Sequence, residues 1–144
     1  MSNQYLFIYG TLLQSGNEFA LYLQKNSTVH SKGKFKGRLY DIGEYPGAVL
    51  DKSGSYVYGN IVLLNDPVVL NNLDIYEGYG SKQPKPNLFI RKLISAETDN
   101  VPLKCWVYLY NLPLMGLHLI TSGDYLSHQK GKKNPPDQSR EERL

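Results

Sequence analysis

The chain has 144 residues, 41% hydrophobic and 20% charged, which suits one domain with an apolar core and excludes a wholly disordered chain. Its formal charge is +3, but five basic and three acidic residues lie beyond His128, so the body is nearly neutral and lacks the basic face of a nucleic-acid binder. The single cysteine, Cys105, excludes an internal disulfide, and no run reaches the roughly 18 apolar residues that cross a bilayer.

Residues 4–9 form a short apolar run ended by Gly10, which predicts a buried strand. The polar start Met1-Ser2-Asn3-Gln4 has no basic n-region, so the expectation is a cytoplasmic protein. A turn follows at Gly10-Thr11-Leu12-Leu13, then a short helix capped by Ser15 or Asn17 and running to about Lys25, with Phe19, Ala20 and Leu23 on one side. Partial alternation over 34–41 predicts a strand, a turn at 43–47 leads to a short strand at 48–50, and 56–64 reads as a long strand. Asp66-Pro67 marks a helix start, because the carboxylate accepts free N–H groups and proline gives up an N–H that has no partner there. Val69, Leu70, Leu73 and Tyr76 supply its buried stripe, and Gly78 ends it. Residues 79–87 carry Gly80, Pro84 and Pro86 and read as a loop. Strands are predicted at 88–96 and 103–110, while 117–120 is ambiguous and Gly123-Asp124-Tyr125 is a turn or short helix. From residue 130 the chain is polar with Pro135-Pro136, so a domain over 1–129 and a disordered tail over 130–144 are expected. About six strands and two modest helices, not regularly interleaved, point to an α+β chain with a mixed, partly closed sheet and helices outside it.

Four segments then carry a resemblance. Tyr9-Gly10-Thr11-Leu12 follows the first strand, Leu73-Asp74-Ile75-Tyr76-Glu77-Gly78 ends the second helix, Phe89-Ile90-Arg91 opens the next strand, and Cys105-Trp106-Val107-Tyr108 lies in a late one. In this order and spacing they resemble the gamma-glutamylcyclotransferase-like, or AIG2-like, proteins, over roughly residues 5–125. The family often has tyrosine where Phe89 sits, and the 80–87 loop is long. The resemblance implies a small mixed β-barrel and a cofactor-free, metal-free reaction on a small gamma-glutamyl substrate. The free α-amine of the gamma-glutamyl group attacks its own γ-carbonyl, 5-oxoproline closes and an amine leaves.

Such a reaction asks for a folded substrate, a group that moves protons, and donors for the substrate carboxylate and the developing oxyanion. Glu77 suits the proton carrier, since the carbonyl end of a helix and burial both disfavour a charged carboxylate; a solvent-facing glutamate near a helix end is the plain alternative. The turn of Tyr9, Gly10, Thr11 and Leu12 suits the donors through successive backbone N–H groups, or is simply a strand-to-helix turn. Arg91 binds the substrate carboxylate or holds the loop by a salt bridge. Tyr108 points its hydroxyl into the pocket or packs in the core. Most of the 12 tyrosines read as strand packing. His30, His118 and His128 have no metal-type spacing, and Cys105 reads as inert. The competing class is a binding module that keeps the pocket without turnover and takes a small acidic metabolite or a protein partner. Nucleic-acid binding through tyrosines and the basic tail is a weaker third.

Overall fold

In the computed structural model, residues 4–10, 18–53 and 55–131 are described. In chain order the elements are β1 (Tyr5–Ile8), α1 (Glu18–Lys25), β2 (Ser27–Asp41), β3 (Pro46–Leu50), β4 (Tyr56–Leu64), α2 (Pro67–Tyr76), β5 (Phe89–Ala96), β6 (Leu103–Tyr110), β7 (His118–Leu119) and α3 (Tyr125–Gly131). The strands form one mixed sheet in the order β3-β2-β4-β1-β6-β5, with β7 added to the end of β2. Among the described strands only β1 and β6 pair in parallel; the other pairs are antiparallel. The sheet curls until β2 meets the end of β5, where Lys34 N donates to the Glu97 carbonyl at 3.0 Å and Glu97 N to the Lys34 carbonyl at 2.8 Å. The expected mixed, partly closed barrel is therefore the observed fold.

Strand β1 is central and buried on both faces, which is why it reads as a continuous apolar run. Leu6 and Ile8 pack with Leu23 of α1 and with Val69, Leu70 and Leu73 of α2. Phe7 faces the other way and packs with Phe35, Val57, Ile61 and Val107 inside the curl. Strand β6 divides the same way, with Tyr108 on the helix side and Cys105 and Val107 within the curl. Each of these buried side chains contributes about 1.5–3 kcal/mol, so the two cores together fix the position of β1 and β6.

Two elements differ from the sequence reading. Strand β2 begins at Ser27, seven residues before the expected start at 34. Its first half is polar and exposed, and it is a strand because Ser27–Lys36 ladders onto β4, with an irregularity between Val29 and Ser31. Alternation cannot reveal a strand whose side chains are nearly all solvated. The ambiguous 117–120 segment becomes β7, held where Ile120 N donates to the Leu39 carbonyl at 2.7 Å. The short-helix reading near Tyr125 corresponds to α3, which extends through Gly131; the rest of the expected tail lies outside the described residues.

Candidate active site

Helix α2 ends in a geometry that places Glu77. Its start is capped as its sequence dictates, with Val68 N donating to Asp66 Oδ1 at 2.9 Å and Pro67 in the first turn. At the other end Gly78 takes φ +74°, a conformation that favours glycine. Gly78 N donates to the Ile75 carbonyl at 3.2 Å and Tyr79 N to the Asp74 carbonyl at 2.9 Å. This is a Schellman motif with Glu77 at the C-cap. The Glu77 side chain does not reach solvent: the residue is 1% exposed. Its carboxylate lies close enough to the phenols of Tyr9 and Tyr108 to oppose their ionisation. Burial, the larger cause, already pushes both phenols far above their ordinary range. Two phenols that keep their protons therefore lie within electrostatic range of Glu77.

Neither hydroxyl is loose. Tyr9 reaches across the sheet from the end of β1; its hydroxyl donates to the Tyr108 carbonyl at 2.6 Å and accepts from Ala48 N at 3.2 Å. It thereby ties β1, β6 and β3 together. The Tyr108 hydroxyl donates to Asp74 Oδ1 at 2.6 Å and sits 3.4 Å from the Leu70 carbonyl. Arg91 on β5 grips the same carboxylate with its fork, Nε to Oδ1 at 2.7 Å and Nη2 to Oδ2 at 3.0 Å. Its guanidinium carbon lies over the Trp106 ring, 4.4 Å from the centroid. In the described geometry Arg91 makes a salt bridge, to Asp74 of α2 rather than to the loop.

The structure thus brings Glu77, Tyr9 and Tyr108 together, and Arg91 joins them through Asp74. Gly10 lines a cavity of about 290 Å³ at the end of β1, whose walls include Tyr9, Lys32, Tyr58 and Asn60 but not Glu77. Thr11 and Leu12 lie outside the described residues. Cys105 is fully buried, and burial pushes its thiol up to about 12, so it has no thiolate to offer at neutral pH. His30 packs on Tyr5, while His118 and His128 stack 5.9 Å apart beside Asp41 on the far end of β2.

Two residues escaped the sequence reading. Asp74 sits inside one of the motifs, three residues before Glu77 and so one turn back on the same side of α2, which was the available signal. Asn87 organises the 79–87 loop: its side chain accepts from Gly80 N at 3.1 Å and donates to the Pro84 carbonyl at 3.0 Å and the Gly80 carbonyl at 3.2 Å. Nothing local in a Gly/Pro-rich segment distinguishes such an asparagine.

The class is that of a curled mixed sheet flanked by helices, and in this chain the helix before β5 carries a buried glutamate at its C-cap. The profile of the gamma-glutamyl cyclotransferase, AIG2-like family matches residues 6–127, and the chain belongs to that family. A relative in Escherichia coli K12, the gamma-glutamylcyclotransferase family protein YtfP, is 30% identical over 132 residues, spanning 87% of this chain and 98% of that protein. The solution structure of YtfP from Escherichia coli superposes with a TM-score of 0.64 at 29% identity, over 87% of this chain and 98% of the other. The crystal structure of an AIG2-like protein from Mus musculus gives 0.70 at 22% identity, over 97% and 100%, which shows the shared fold.

Proposed function

We propose that this protein is a cyclotransferase that converts a gamma-glutamyl amine to 5-oxoproline and the free amine, with Glu77 carrying the protons. The observation that carries the reading is a carboxyl group 1% exposed at a helix C-cap, beside two buried phenols, in a chain of this family. The reaction moves two protons from the attacking nitrogen to the departing one. The α-ammonium gives one up, its nitrogen forms a bond to the γ-carbonyl carbon, and the adduct gives up a second. The bond from that carbon to the leaving nitrogen then breaks, and the leaving amine departs with both protons. A carboxylate out of water, within reach of both nitrogens, relays them without exchange with solvent. Ring closure is intramolecular, so a site that holds the glutamyl chain folded supplies much of the acceleration. The segment Tyr9-Gly10-Thr11-Leu12, which follows β1 in the chain, serves as the donor set for the substrate carboxylate and the oxyanion.

The test is a screen of gamma-glutamyl amines, with amino-acid, polyamine, lysine side-chain and simple alkyl leaving groups, for release of 5-oxoproline. Glu77→Gln keeps the shape of the side chain and removes its proton chemistry. Its kcat is expected to fall by about 10²–10⁴-fold. Thermal stabilisation by these compounds with no product from any of them would favour a binding module instead.

A further inference from the structure

Arg91 and Tyr108 sit on different strands, yet both end on one carboxylate that the proposed chemistry does not use. Asp74 is held at its carbonyl by Tyr79 N, at one carboxylate oxygen by Tyr108 and Arg91 Nε, and at the other by Arg91 Nη2. Its carbonyl is one of the two that the Schellman motif satisfies, so the turn carrying Glu77 is fixed through Asp74. A bidentate guanidinium–carboxylate pair, 17% and 15% exposed on its two side chains, is directional as well as strong. Trp106 supports the guanidinium from one side, and Tyr79, whose backbone closes the motif, lies 5.9 Å from it.

We infer that Asp74, clamped between Arg91 and Tyr108, is a positioning residue that holds the Glu77 turn and sets the charge Glu77 faces. The inference rests on Glu77 being the proton carrier proposed above. Tyr9 and Tyr108 lie within electrostatic range of Glu77, Asp74 stands three residues before it on α2, and Arg91 of β5 is joined to Asp74. Both phenols stay neutral, and the clamp adds one negative and one positive charge that cancel at a distance. Removing either leaves the other uncompensated near a buried carboxyl, with opposite consequences. A lone Asp74 carboxylate makes Glu77 hold its proton more tightly; a lone Arg91 cation makes it release the proton more easily. A clamp that only stabilised the fold would not give effects of opposite sign.

The experiment follows the Glu77 carboxyl directly, by ¹³C NMR of protein labelled at glutamate Cδ, with the signal assigned by its loss in Glu77→Gln. Arg91→Met is expected to raise the titration midpoint and Asp74→Asn to lower it, each on the order of half a pH unit, about a threefold change in the ionised fraction. The double variant is expected to return close to the parent, and Arg91→Lys, which keeps the charge and loses the fork, to lie near the parent as well. The acidic limb of kcat/KM should follow the same order. Shifts of the same sign, or unchanged midpoints with only the melting temperature lowered, would overturn the inference. Should Arg91→Met not fold, the comparison of Asp74→Asn with Arg91→Lys still decides it: equal midpoints contradict the clamp. A parent protein that releases no 5-oxoproline removes the proposed function, whereas the electrostatic part of the clamp stands or falls by the NMR titration alone.

Discussion

Tyr9 is the residue whose job is set most plainly by its contacts. One hydroxyl joins three strands, through the Tyr108 carbonyl at 2.6 Å and Ala48 N at 3.2 Å, and Glu77 lies nearby. Tyr9→Phe leaves two buried backbone groups without that partner, which costs about 1–3 kcal/mol. A urea midpoint lowered with an unchanged slope is the expected result, together with a kcat reduced far less than in Glu77→Gln. A Tyr9→Phe protein as inactive as Glu77→Gln would mean that the hydroxyl itself takes part in the chemistry. At this scale the sequence singled out candidate residues and was silent about what they touch. Tyr108 and Arg91 were each open to two roles, because their common partner Asp74 lies 34 and 17 residues away along the chain. No local spacing encodes a meeting of that kind.

At the scale of elements, α2 is the helix that carries Glu77 at its C-terminal end. Its start was legible because Asp66-Pro67 is a local signal, and the observed helix begins there. Its end was legible as a stop at Gly78, while the burial of Glu77 was not, since that depends on strands brought over it. The two ends can be tested separately. Asp66→Ala removes the N-cap and should cost about 1 kcal/mol while leaving KM and kcat near the parent values. Gly78→Ala meets no steric obstacle, the nearest side-chain atom being Leu88 Cβ at 3.7 Å, so its cost is conformational, roughly 1 kcal/mol. That cost falls on the turn that holds Glu77, and kcat should drop with it. Equal kinetic effects from the two substitutions would show that the C-terminal motif has no special part in activity. Strand β2 is the contrasting case. Its polar first half was invisible to alternation because pairing with β4, not burial, makes it a strand.

At the scale of the whole molecule, burial in the two cores holds at least three of the described ionisable groups neutral. The Cys105 thiol moves from an ordinary 9.0 up to about 12, and the phenols of Tyr9 and Tyr108 are also raised, each chiefly by burial. These groups keep their protons in the folded state at a pH where the unfolded chain loses them. Their contribution to stability is complete below about pH 9 and declines as the pH rises toward 12. Denaturation midpoints measured from pH 7 to 11 should therefore be level at first and fall beyond about pH 9; a flat profile to pH 11 would contradict the burial of these groups. The mixed, curled sheet itself was legible from the count and order of the apolar runs. Its closure through Lys34 and Glu97 was not, since a single backbone bridge leaves no trace in side-chain pattern.

The central claim is that Glu77 moves protons during an internal ring closure. It is tested most directly by product analysis in a single turnover, with the parent and Glu77→Gln proteins in excess over a gamma-glutamyl amine found in the screen. The parent should release 5-oxoproline and amine in equal amounts with no free glutamate, and the equally folded variant should release neither on that timescale. Free glutamate as the product, or an unchanged rate in the variant, would contradict the account.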